Sequence, residues 1–170
     1  LPPLLVGGDQ ERARRAGLEN VAALAAFGAV AAALGADGGA RMAAEAEDQR
    51  RLTDRVLDAI GGAAGAGPSP GLDGLVPYGD PVQRLPHIVC LGVEGVEPQA
   101  VLLGLARAGF AAHSGSACSS ESLEPSPVLE AMGVDAHHSL RISVGWSSTE
   151  ADVDRLLDAL PRVLAELRAL

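Results

Sequence analysis

The chain is 170 residues long and 48% hydrophobic, enough to bury one sizeable core but not two. Its net charge of −9 excludes a surface built to attract nucleic acid or an anionic membrane. The two cysteines, Cys90 and Cys118, stand in dissimilar contexts, and no signal peptide or apolar run of membrane-spanning length is present, so a reducing cytoplasm is expected. All thirteen basic residues are arginine, and the chain has no lysine. The first residues, Leu1 to Val6, read as mid-domain sequence, which predicts a fragment.

In residues 7–20, paired glycines (Gly7, Gly8) and Arg12, Arg14 and Arg15 precede a third glycine, Gly17. Such a segment suits an anion, although an arginine cluster is as often a solvated face. Val21, Leu24 and Phe27, then Leu52, Val56, Leu57 and Ile60, fall at helical spacing and predict two helices over 19–60. Gly35, Gly38 and Gly39 place a break between them. Residues 61–70, rich in Gly, Ala and Pro, read as a mobile connection.

Residues 85–93 predict a strand in which Cys90 serves core packing. Glu97 and Pro98 open a helix closed by Gly109. Phe110 to Ala112 predict a short strand that delivers the run Ala112-His113-Ser114-Gly115-Ser116-Ala117-Cys118-Ser119-Ser120-Glu121-Ser122. Nine of these eleven residues are small or hydroxylic, so the run cannot fill a core and reads as a loop with a thiol at its centre. A lone cysteine is more often inert than catalytic, but one set among serines has lost the usual packing reason for being there.

Ser126 and Pro127 start a short helix over 128–132, and residues 139–144 alternate, placing Leu140, Ile142 and Val144 on one face and Arg141 and Ser143 on the other. The last helix carries an apolar stripe from Val153 to Leu167, with Pro161 expected to kink it and either Ser147–Glu150 or Thr149–Asp152 as its capping box. The His87–Cys90 spacing alone is far too weak for a metal site, and His137 and His138 lack partners at metal-ligand spacing, so no metal site is expected.

The Gly7–Asn20 segment, the Ser114–Ser120 run with Leu123-Glu124-Pro125-Ser126, and Leu140-Arg141-Ile142-Ser143-Val144-Gly145 together resemble the C-terminal part of the long-loop cysteine desulfurases. The resemblance spans nearly the whole chain but only about the last half of a family member. It implies an α/β fold of α+β character: the C-terminal small domain of a fold-type I pyridoxal phosphate enzyme, a small sheet covered by helices, at 21–170, preceded at 1–20 by the end of the large cofactor-binding domain. The implied reaction takes sulfur from L-cysteine, held as an aldimine on pyridoxal phosphate, onto Cys118 as a persulfide, with alanine released and Arg141 binding the substrate carboxylate.

The resemblance further implies a dimer, an N-terminal half or a homodimer partner, and a sulfur-acceptor protein in iron-sulfur cluster or thio-cofactor assembly; the net charge argues that neither nucleic acid nor membrane is a partner. Arg12 and Arg15 match the family signature, whereas Ala13 replaces a glycine and Leu18 replaces the threonine that reaches the cofactor phosphate. A chain without lysine has no side-chain amine for the internal aldimine, so this polypeptide alone is expected to be inactive and no cofactor-binding residue is assigned. The alternatives are a non-enzymatic persulfide carrier or scaffold lacking pyridoxal phosphate chemistry, and a thiol hydrolase using Cys118 with His113, whose five-residue separation fixes no catalytic pair.

Overall fold

The computed structural model describes residues 2–61, 67–114 and 125–170. They form two compact units, Leu1–Ala43 and Ala44–Leu170. In the first, α1 (Gln10–Ala13) is a single turn in which Glu11, Arg12 and Ala13 take φ of 52°, 60° and 60°. This left-handed region costs an L-residue about 1–2 kcal/mol, and Ala13 stands where the family resemblance expects glycine. Helix α2 (Val21–Gly35) is capped by Asn20, whose side chain accepts from the Ala23 N–H at 3.1 Å. Its eight alanines favour helix on their own, and none of its residues is buried. The glycine break lies where expected, and Asp37 restarts the helix as α3 (Ala40–Ala59) by accepting from the Gly39 and Arg41 N–H groups at 3.2 and 3.0 Å. Among the described residues no single helix is long and apolar enough to cross a membrane.

The second unit is built on a three-stranded antiparallel sheet of β1 (Leu75–Tyr78), β2 (Ile88–Val93) and β3 (Ser139–Ser143), in the order β1-β2-β3. Its helices are the C-terminal part of α3, α4 (Pro98–Arg107), α5 (Pro127–Ala131) and α6 (Glu150–Arg168). Val89, Leu91 and Val93 of β2 and Leu140 and Ile142 of β3 enter one apolar core with Leu52, Val56, Val101, Leu105, Val153, Leu160 and Leu164 from the helices. Burying a leucine or valine side chain contributes about 1.5–3 kcal/mol, so the helical stripe and the strand alternation stabilise each other.

Several elements differ from expectation. β1 is a strand despite Pro77, because it lies at the sheet edge where a missing N–H costs no interior ladder bond. β2 begins at Ile88 rather than at residue 85: Leu85 is exposed and Pro86 has no N–H to give the ladder. The segment before β2 is tied to α3 instead. Arg50 donates to the Arg84 carbonyl at 2.7 Å, Arg84 donates to the Thr53 hydroxyl at 2.9 Å, and that hydroxyl donates to the Pro86 carbonyl at 2.8 Å. These bonds satisfy a fully buried threonine. Phe110 to Ala112 form no strand, and His113 alone makes a bridge to Arg141.

Of the two capping boxes, Thr149–Asp152 forms, with reciprocal bonds of 3.3 and 3.0 Å, and the Thr149 hydroxyl, donating at 2.7 Å, together with Arg155 and the Thr149 N–H, holds the Asp152 carboxyl below its usual range. Helix α6 runs unbroken past Pro161. Residues 62–66 of the expected connection lie outside the described residues.

Gly104 of α4 lies against Val163 of α6, and an added Cβ there would lie 2.5 Å from Cγ1 of Val163. Alanine gains about 0.8–1.0 kcal/mol over glycine in a helix. Overpacking against a valine whose χ1 is fixed in its own helix costs about 1–3 kcal/mol. Gly104→Ala is therefore expected to lower stability in urea denaturation, and to raise it in a Val163→Ala background, where the clash is gone.

Candidate functional site

The alternation that buries Val89, Leu91, Leu140 and Ile142 turns Cys90 and Arg141 to the opposite face of the sheet. On that face one row crosses all the strands. Tyr78 on β1 pairs with Cys90 on β2, Cys90 pairs with Arg141 on β3, and Arg141 pairs with His113 beyond the sheet edge. The last pairing is tight: the His113 N–H donates to the Arg141 carbonyl at 3.2 Å and the Arg141 N–H to the His113 carbonyl at 2.5 Å. Gly92 leaves room for the Tyr78 ring, whose hydroxyl donates to the Asp135 carbonyl at 3.2 Å.

Arg141 is half-buried, and its Nε is buried without a hydrogen-bond partner. Some arginines of this unit pair with carboxylates, Arg84 with Asp54, Arg51 with Glu150, and Arg55 with Glu150 and Asp154, and Arg50 and Arg168 donate to backbone carbonyls instead. Arg141 has no carboxylate among the described residues. A partly buried cation without a counter-charge is unfavourable on its own, and a guanidinium presents the planar fork that fits a carboxylate. The row is thus chemically suited to receive an anion.

Cys90 does not pack in the core as expected. It is half-buried on the Arg141 face, and burial pushes its thiol pKa up, a rise that the Arg141 charge only partly opposes. The protonated thiol is a poor nucleophile. Burial likewise raises the Tyr78 phenol, so the two residues on the β1 side of Arg141 in the row are neutral at pH 7. Cys118 lies in residues 115–124, outside the described residues.

At His113, Nδ1 lies 2.9 Å from the Ser114 carbonyl oxygen. A carbonyl only accepts, so Nδ1 carries the hydrogen and Nε2 is left for another partner. In the sequence, alternation turns Arg141 off the apolar face and only the family resemblance implies its carboxylate role, while the same reading puts Cys90 in the core and predicts no strand at Tyr78. The available signal was the same alternation carried one strand further: Leu91 faces the core, so Cys90 and whatever opposes it cannot.

The remaining candidates are apart from this row. Leu18 is 92% exposed. Arg15 pairs with Glu19 at 3.0 Å and with Glu11 at 3.7 Å. The His87 carbonyl accepts from the Val144 N–H, and His138 meets Asp135 at 2.7 Å, holding that carboxyl below its usual range. Among the described residues no group of three or more His, Cys, Asp or Glu could hold a metal ion.

The burial of Cys90 sets an expected outcome for alkylation. In a Cys118→Ser variant, brief iodoacetamide treatment at pH 8 leaves Cys90 unmodified until denaturant is added, and peptide mapping reads the result. Rapid labelling of the folded variant would contradict the raised thiol pKa.

Residues 5–156 match the aminotransferase class-V family. The chain is 43% identical to a cysteine desulfurase of Gluconacetobacter diazotrophicus, over 99% of this chain and 40% of that protein. It is 37% identical to the cysteine desulfurase NifS of Azotobacter vinelandii, over 98% of this chain and 39% of that one. Among solved structures, a NifS-like protein of Rickettsia africae superposes with a TM-score of 0.72 at 26% identity, over 96% of this chain and 40% of that chain. The Escherichia coli cysteine desulfurase CsdA gives 0.63 at 25% identity, over 89% and 32%. The chain thus spans about 40% of the length of the curated relatives it matches. A match over residues 5–156, on a helix-covered antiparallel sheet of the same architecture, places this chain in the aminotransferase class-V family.

Proposed function

We propose that this chain is the thiol-bearing portion of a pyridoxal phosphate-dependent cysteine desulfurase, with Cys118 as the sulfur-accepting nucleophile and Arg141 as the seat of the substrate carboxylate. The observation that carries the reading is Arg141 itself: a half-buried guanidinium without a carboxylate among the described residues, bridged by backbone hydrogen bonds to His113 at the entry to the run that holds Cys118. The similarity to curated cysteine desulfurases over nearly the whole chain supports it.

In this reaction the sulfur of L-cysteine forms an S–S bond with Cys118 as its bond to Cβ breaks. The carbon keeps the electron pair and gains a proton, so thiol and cysteine become persulfide and alanine, with atoms and electrons in balance. Arg141 holds the amino acid by its carboxylate through charge-assisted hydrogen bonds, which orients the sulfur.

The residues present do not fit a covalently held pyridoxal phosphate. The chain has no lysine to bind its aldehyde, and the exposed Leu18 side chain cannot donate to a phosphate. Groups that hold the cofactor therefore come from outside this polypeptide, either from the rest of a longer chain or from a separate N-terminal half, in a cytoplasmic dimer. A sulfur-acceptor protein of iron-sulfur cluster or thio-cofactor assembly would take the persulfide onward.

The test is Arg141→Ala in the complete enzyme. KM for L-cysteine is expected to rise about 10- to 150-fold, equivalent to about 1.5–3 kcal/mol for a lost charge-assisted bond, while the folding transition stays in place. An unchanged KM would remove Arg141 from the site. The 170-residue chain alone, given pyridoxal phosphate and L-cysteine, is expected to form alanine no faster than free cofactor does. Enzymatic turnover by the chain alone would overturn the assignment of the cofactor-holding groups to another segment.

A further inference from the structure

We propose that His113 is a second contact for the substrate carboxylate beside Arg141, donating from Nε2 when its imidazole is protonated. The inference rests on the reading of Arg141 as the carboxylate seat and adds to it a residue whose charge depends on pH. Directly opposed residues of an antiparallel pair place their Cβ atoms about 4.5–5.5 Å apart on the same face, and His113 is the residue opposed to Arg141 on the side away from Cys90. Its Nδ1–H is committed to the Ser114 carbonyl. Ring orientation and tautomer are therefore set locally, and Nε2 has no partner among the described residues.

The state of Nε2 decides what it can do. In the neutral ring it is a lone pair that repels a carboxylate oxygen, and in the protonated ring it is a charged donor. The titratable and charged groups that share the row are Arg141 on β3, Cys90 on β2 and Tyr78 on β1. Cys90 and Tyr78 are neutral, so the guanidinium is the charge that His113 meets across the sheet. A bound carboxylate favours the protonated ring, because an opposite charge in hydrogen-bond range stabilises the charged form. Carboxylate binding then proceeds with proton uptake at His113. By linkage, affinity rises as pH falls through the range in which an imidazole titrates, about pH 5–8.

The experiment is an NMR titration of the 170-residue chain with propionate, a carboxylate that has neither amine nor thiol, following the Arg141 Nε–H and the His113 ring carbons across pH. The expected result is that propionate perturbs the Arg141 Nε–H and moves the His113 titration midpoint up by about half a pH unit or more. Perturbation of Arg141 with a stationary His113 midpoint would overturn the proposal and leave the carboxylate seat standing. Silence at both would overturn the seat as well, and movement of His113 without Arg141 would overturn the shared site. His113→Gln keeps an amide donor near the Nε2 position without titrating, so propionate binding is expected to persist and lose its pH dependence over pH 5–8. A purely structural His113 would leave that dependence unchanged.

Discussion

The register of β2 between β1 and β3 is the constraint on which the site depends. Leu91 opposes Leu140 and Pro77, and Cys90 opposes Arg141 and Tyr78. Side chains alternate with a period of two, so burying Leu91 and Leu140 beneath the helices commits the whole Tyr78–Cys90–Arg141–His113 row to the other face. A slip of one residue would put a guanidinium into an apolar core and expose two leucines. Each part of that exchange costs several kcal/mol, so the packing on one face and the polar row on the other are a single choice. The α3 clamp through Arg50, Thr53 and Arg84 fixes the approach to β2 at Pro86, where the register is set.

Charge is distributed unevenly over this frame. Arg51 and Arg55 of α3 find carboxylates on α6, and those exposed ion pairs contribute about a few tenths of a kcal/mol each. Arg141, more deeply placed, lacks one. In a chain of net charge −9 a shortage of acids is no explanation. On its β2 side the sheet row supplies a protonated thiol, with a phenol beyond it, and no carboxylate, which keeps the guanidinium available for an anion from outside.

Much of this was legible in the sequence, for reasons particular to each element. The glycine break after α2, the proline-initiated α4 and α5, the apolar stripe of α6 and the alternation of β3 are local signals, and local physics sets them. What eluded a sequence reading was set by position in the sheet. Pro77 argues against a strand until β1 is known to be an edge, and Leu85 argues for one until Pro86 is seen bonded to Thr53 rather than to a neighbouring strand. Cys90 sits in an apolar run, and only pairing with Arg141 shows which face it takes. His113 was weighed against Cys118, a neighbour in sequence, whereas its neighbour in space is Arg141. The left-handed turn at Glu11, Arg12 and Ala13 likewise leaves no trace in residue type, since none of the three is a glycine.

The central claim is that sulfur is received on Cys118, in the segment that follows His113, while Cys90 stays a protonated neighbour of the carboxylate seat. The direct measurement is peptide mass mapping of the complete enzyme after brief exposure to L-cysteine, with and without a reducing thiol. One extra sulfur atom on the Cys118 peptide, removed by the thiol, with the Cys90 peptide unchanged, is the predicted result. Sulfur on Cys90, or alanine formed with no sulfur on Cys118, would contradict the account.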